Sequence, residues 1–212
     1  MLNLLKKIND YRLLTLCLAG LILPVIGYAD DSARALEPAQ VVTAFHEQLL
    51  NAMKSDDPAQ RLSITSHAVN AFFRPATIAR ISLGRNWRAL TTSEQDEYAT
   101  LIAVLISTSY ANRFKKFNDQ RFTTNVTESL SEDRVRVRTT LTTQTDIVTL
   151  DYQLQKLEDP RLEDQWKIYD IVAGGVSDLS LKRSNYSALF KKGGLAAVIA
   201  DMNDDIAANT PH

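Results

Sequence analysis

The chain has 212 residues, 24 Lys and Arg against 25 Asp and Glu, a formal net charge of −1 and one cysteine. With no basic excess to release counterions from phosphates, it has no electrostatic footprint of a nucleic-acid binder. One cysteine supports neither a disulfide framework nor a multi-cysteine metal site.

Lys6, Lys7 and Arg12 precede the apolar run Leu13 to Leu23, which Pro24 ends, and Gly27-Tyr28-Ala29 puts small residues at the two cleavage-determining positions. This pattern predicts a signal peptide over residues 1–29. The run is shorter than the roughly 20 residues of a spanning helix, and Leu16 before Cys17 is not the Gly or Ala that a lipoprotein signal requires. Residues 1–29 hold Lys6, Lys7, Arg12 and Asp10, so a chain cut after Ala29 keeps 21 basic and 24 acidic residues, a charge of −3, and no cysteine. Such a chain must be held by its core alone, which about 180 residues can supply as one domain over 30–212.

Pro38 opens a predicted helix over 38–54, in which Val41, Val42, Phe45, Leu49 and Met53 return near a period of 3.6. Ser55-Asp56-Asp57-Pro58 breaks it, and Ala59 to Leu83 reads as two short helices, the second opened by Pro75. Thr92 and Gln95 have capping-box spacing, which predicts a long helix from Ser93 to about Lys116. Tyr98, Leu101, Ile102, Leu105 and Tyr110 form its stripe, and Ala99, Val104, Ile106 and Phe114 make other sides apolar too, so wide coverage is expected.

Strands follow. Val135, Val137, Thr139 and Leu141 alternate with arginines, and Val148, Leu150, Tyr152 and Leu154 alternate after the turn at Thr143 to Asp146. With Arg121 to Thr127 before and Gln165 to Val172 after, the pattern predicts an antiparallel meander of about four strands with one wet face. In the last strand, alternation directs Trp166, Ile168, Asp170 and Val172 inward. Gly174 and Gly175 end it, and a helix from Ser180 is broken at Gly193-Gly194 before a polar tail, Ala207 to His212, expected to be disordered. Helices first and strands later indicate an α+β fold, with helices on the inner face of a curved sheet.

The run W-K-I-Y-D-I-V-x-x-G-V-S, Trp166 to Ser177, closed by Arg183 and Tyr186, resembles the periplasmic phospholipid carriers of the Mla (maintenance of lipid asymmetry) pathway, also called the toluene-tolerance family. Leu83-Gly84-Arg85-Asn86-Trp87, Leu90-Thr91 and the aromatic helix after them resemble a second family segment, and Lys192-Gly193-Gly194-Leu195 a closing turn. The resemblance spans roughly residues 37–203. It implies a cone similar to nuclear-transport-factor domains, with an apolar cavity for acyl chains and the headgroup near its mouth. It also implies a monomeric, non-enzymatic carrier without cofactor, passing phospholipid between an outer-membrane lipoprotein complex and an inner-membrane ABC transporter.

The inward faces supply candidates for the lining: Leu101, Leu105, Ile106 and Tyr110 on the long helix, Val135, Val137, Val148, Leu150 and Tyr152 on the middle strands, and Trp166, Ile168 and Val172 on the last. Periodicity does not separate a cavity wall from a packed core. Arg80, Arg85 and Arg88 with Trp87 are candidates for a partner surface or for contact with anionic headgroups, against a solvated face with one semi-buried tryptophan. Gly174 stands where the phospholipid carriers often have an acid, and G-V-S-D-L-x-x-x-R-S-x-Y also resembles a neighbouring branch associated with hopanoids. A non-lipid adaptor is another reading. So is an enzyme, because similar cones host isomerases and Asp170, with Tyr152 and Tyr110 near it, would be the base. Against the enzyme, Asp170 falls within the family's own motif, where it ties the strand to the Gly-Val-Ser turn. His46 and His67 have no acidic residue at ligand spacing, and no phosphate loop, dinucleotide turn or nucleophile elbow occurs.

Overall fold

A computed structural model of the chain describes residues 36–157 and 165–210. The signal-peptide expectation lies outside these residues. Three prolines stand in the first turns of three helices, α1 (Pro38–Met53), α2 (Pro58–Phe72) and α3 (Pro75–Leu83), where their missing N–H leaves no bond unmade. Asp57 caps α2 by accepting the N–H of Ala59 at 2.9 Å. Gly84, at φ +59, ends α3 and starts a 3-10 helix, Gly84–Ala89.

The long helix α4 spans Thr92–Arg113. Its capping box is one residue earlier than expected: Thr91 Oγ1 accepts the N–H of Glu94 at 3.3 Å, and Glu94 Oε2 accepts that of Thr91 at 2.8 Å. A carboxylate is the better acceptor at a helix N-terminus. Gln95 instead donates to the carbonyls of Trp87 and Leu90, pinning the 3-10 helix to α4. The far end of α4 is held by buried Arg61, which donates to the carbonyls of Ala111 at 3.0 Å and Ser55 at 2.8 Å.

The sheet is open and antiparallel, with five strands in sequence order: β1 (Arg121–Ser131), β2 (Arg134–Thr142), β3 (Ile147–Leu157), β4 (Gln165–Ala173) and β5 (Val176–Ser177). The expected meander is therefore present, and the two-residue β5 adds to it. Gly174 and Gly175, at φ +57 and +85, make the β4–β5 turn in a backbone region that glycine enters without strain. β1 breaks register at Asn125 and Leu130, so its longest unbroken runs are Arg121 to Thr124 and Val126 to Ser129. Val135, Val137 and Thr139 on β2 and Leu150, Tyr152 and Leu154 on β3 are buried. The other face is wet and carries Arg136–Glu128 and Arg138–Asp151 pairs at 3.1 and 2.9 Å.

The expected alternation fails in β4. Leu154 pairs with Ile168, but the next residue of β3, Gln153, pairs with Asp170, so Tyr169 is a bulge. There the carbonyl of Ile168 accepts the N–H of Arg74 at 2.9 Å, tying the α2–α3 junction to the sheet. A one-residue slip reverses every later side chain: Ile171 and Ala173 pair with the inward Tyr152 and Leu150, whereas Val172 pairs with outward Asp151. The inward assignment of Val172 is corrected accordingly, whereas Asp170, though opposite Gln153 beside the bulge, is buried and borders an internal cavity, as its inward assignment expects.

The core lies between this sheet and α1, α2, α3, α4 and α5 (Asp178–Asn209). Phe45 is its aromatic hub, with ring centroids 5.0 Å from Phe73 and 5.3 Å from Tyr110. α5 is kinked at Gly193 and Gly194, and it continues to Asn209. The tail expected from Ala207 is therefore helical for three more residues, because Asn112 on α4 donates to Asn209 Oδ1 at 3.1 Å and holds the end in place.

Candidate functional site

Between α4, the β3–β4 end of the sheet and the start of α5 lies a cavity of about 360 Å³. From α4, Leu105, Ile106, Ser109, Tyr110, Arg113 and Phe114 face it, at the i, i+4 and i+3 steps that align side chains on one helical stripe. The sheet contributes Leu150, Tyr152, Tyr169, Asp170, Ile171 and Ala173, and the α2–α3 region contributes Phe73 and Ile78. Val176, Leu179 and Leu181 close the side toward α5, where Val176 and Leu181 remain 52% and 59% exposed and so form the apolar part of the rim.

Of the candidates read from the sequence, Leu105, Ile106, Tyr110, Leu150 and Tyr152 line this cavity. Val135, Val137 and Ile168 sit in the packed core beside it, while Leu101, Val148 and Trp166 cover that core partly buried. Val172 is turned away by the bulge. Phe73, Ile171 and the β5–α5 residues were missed, since their positions depend on the Arg74–Ile168 bridge and the Gly174-Gly175 turn, neither of which leaves a periodic trace.

Besides the charged Arg113, Asp178 and Lys182, the lining carries polar groups on Ser109, Tyr110, Tyr152, Tyr169 and Asp170. His46 on α1 lies on the ring of Phe122, centroids 4.0 Å apart, and its Nε2 shares a 2.9 Å hydrogen bond with the hydroxyl of Tyr152. Burial pushes this imidazole down to about 3, so it is neutral at neutral pH. Burial likewise raises the hydroxyls of Tyr110 and Tyr152 well above their ordinary value, and both stay protonated. Asp170 accepts from the backbone N–H groups of Ile171 at 2.8 Å and Leu179 at 3.1 Å, and from the hydroxyl of Ser177 at 2.7 Å. Its carboxylate therefore fastens β4 to β5 and the start of α5, and its acceptor sites are occupied by the protein itself. Among the described residues no group of His, Cys, Asp or Glu converges as a metal site.

The arginine cluster lies elsewhere. Arg80, Arg85 and Arg88 are exposed and do not border the cavity. Trp87 is half-buried against the core, its ring centroid 6.4 Å from that of Tyr98, and is not the free anchor that a docking surface would present. The Arg183 guanidinium lies against Gly84, 3.5 Å from where a Cβ would stand.

Comparison with known proteins agrees with this architecture. No curated protein matches the chain. Among solved structures, a phospholipid-binding protein from Ralstonia solanacearum, determined in complex with a phospholipid, is 21% identical, with a TM-score of 0.68 covering 82% of this chain and 99% of that one. That likeness shows the fold. The family model for MlaC protein matches residues 40–204, most of the chain, and the chain therefore belongs to the MlaC family.

Proposed function

We propose that the protein is a non-enzymatic phospholipid carrier of the periplasm, working as a monomer and exported with a cleaved signal peptide. It would shuttle lipid between an outer-membrane lipoprotein complex and an inner-membrane ABC transporter, and so maintain outer-membrane lipid asymmetry. The observation that carries this reading is the largely apolar cavity, in a chain of the MlaC family with a solved structural neighbour that holds a phospholipid. Each methylene kept from water is worth about 0.8 kcal/mol, so a lipid crosses an aqueous space only inside a lined cavity. The engagement of Asp170 in backbone hydrogen bonds supports a carrier over an isomerase. A volume of about 360 Å³ lies near the lower end of small-molecule sites, about 300–1,000 Å³. Loading a diacyl lipid therefore requires the cavity to widen, and partner docking that favours the wider population would drive exchange.

The test is native mass spectrometry of the protein purified from periplasm without detergent, with extraction and identification of what travels with it. Bound diacyl phospholipid supports the carrier reading. A bound hopanoid assigns the chain to the hopanoid-associated branch, and a reproducibly empty protein removes the carrier reading. Leu105→Glu is expected to fold and lose its lipid, because it charges the wall at a residue bordering empty space.

A further inference from the structure

The cavity is apolar along its walls, but its mouth is not. Arg113 in the last turn of α4 and Asp178 and Lys182 in the first turns of α5 all border it. Lys182 Nζ donates to both carboxylate oxygens of Asp178, at 2.8 and 2.7 Å. Arg113 is exposed and has no carboxylate within ion-pair distance among the described residues. The rim thus carries two cations and one anion around a single opening.

We propose that this rim is a headgroup site for a zwitterionic phosphodiester, with Arg113 and Lys182 taking the phosphate and Asp178 the ammonium. The assignment rests on the phospholipid reading and deepens it. A phosphodiester bears one negative charge on two free oxygens, which a guanidinium and an ammonium can share. An ammonium on the same headgroup then replaces Lys182 at Asp178, so the resident pair is exchanged for two intermolecular ones and no charge is left unmatched. An anionic glycerol-type headgroup satisfies the cations but leaves Asp178 facing hydroxyls. Tyr110, one turn before Arg113, adds a neutral hydroxyl. Burial raises its pKa first, Asp178 raises it further and Arg113 lowers it, which places both charges within electrostatic reach of that hydroxyl. By contrast Arg80, Arg85 and Arg88 do not border this cavity.

The experiment loads the full exported chain from vesicles of equal phosphatidylethanolamine and phosphatidylglycerol with matched acyl chains, then reads the bound lipids by native mass spectrometry. The wild-type protein is expected to carry the ethanolamine lipid in about threefold excess, the scale of one exposed ion pair. Asp178→Asn should bring that ratio to parity or below at unchanged total lipid, and Arg113→Gln with Lys182→Gln should lower total retained lipid about tenfold. Arg113 and Asp178 are exposed, and at Lys182, whose side chain is only 19% exposed, glutamine keeps part of the aliphatic stem, so the variants are expected to keep the wild-type circular dichroism. A wild type that carries both lipids at the vesicle ratio, with Asp178→Asn indistinguishable from it, overturns the headgroup assignment and leaves the carrier reading intact. A wild type that takes up neither lipid overturns the carrier reading itself.

Discussion

The two halves of α4 each bury an apolar stripe, and the stripes have different surroundings. In the first half Tyr98 and Ile102 are fully buried, and Tyr98 shares a 3.0 Å hydrogen bond with Ser82 on α3. In the second half Leu105 and Ile106 are buried and Tyr110 is partly buried, and yet all three face a cavity. The difference lies opposite the helix. α3 and α5 fill the space against the first half, whereas the second half faces the point where β4 bulges and α5 begins. Burial from bulk water and contact with packed atoms are separate properties, and only the second contributes full dispersion energy.

The largest expected effect tests that separation directly. Ile102→Ala should cost about 3 kcal/mol in urea unfolding, within the usual range for emptying a packed site, and Ile106→Ala about 1 kcal/mol because part of its surroundings is already vacant. Equal losses would erase the distinction between the two halves. Next comes the fastening between them: Asp170→Ala leaves the Leu179 N–H and the Ser177 hydroxyl without their acceptor, a loss of about 2 kcal/mol. Faster hydrogen exchange at Leu179 should accompany it, and an unchanged Leu179 would mean that α5 is anchored by other contacts.

On the packed side, His46 gives a pH signature. Its folded pKa is about 3 against an ordinary 6.5. Between those values the unfolded chain takes up a proton that the native chain refuses, so stability falls on acidification, by about 2 kcal/mol from pH 7 to pH 5 for this group. His46→Gln should lose this portion of the slope whatever its stability at pH 7, and a variant with the full wild-type slope would show that His46 titrates normally. The smallest effect belongs to the wet face. Glu128→Ala breaks the exposed pair with Arg136 and should change stability by less than about 0.5 kcal/mol.

The helices were legible because their signals are local: Pro38, Pro58 and Pro75 mark starts, and a 3.6 period marks the buried stripe. β2 and β3 were legible for the same reason, with Val135, Val137, Leu150 and Tyr152 alternating as read. β4 was not legible beyond Ile168. Nothing in Trp166 to Val172 marks a bulge, because it arises where the distant Arg74 N–H occupies the Ile168 carbonyl. The cavity was legible only in part, on α4 and β3, because a hole is a property of what stands opposite a side chain. Leu105 and Val137 look alike in sequence, but one faces the cavity and the other is sealed in the core.

The broken register of β1 matters for what happens between molecules. An exposed outer strand is a template on which a second chain can grow a ladder. Here Asn125 and Leu130 interrupt it, so neither in-register run exceeds four residues. An incoming strand finds only short, separately twisted stretches on which to align. Among the described residues β1 is exposed and holds no proline, so its broken register is the feature that opposes edge-to-edge pairing, and a change that straightened β1 would be expected to show first as fibril or precipitate formation in a well-folded protein.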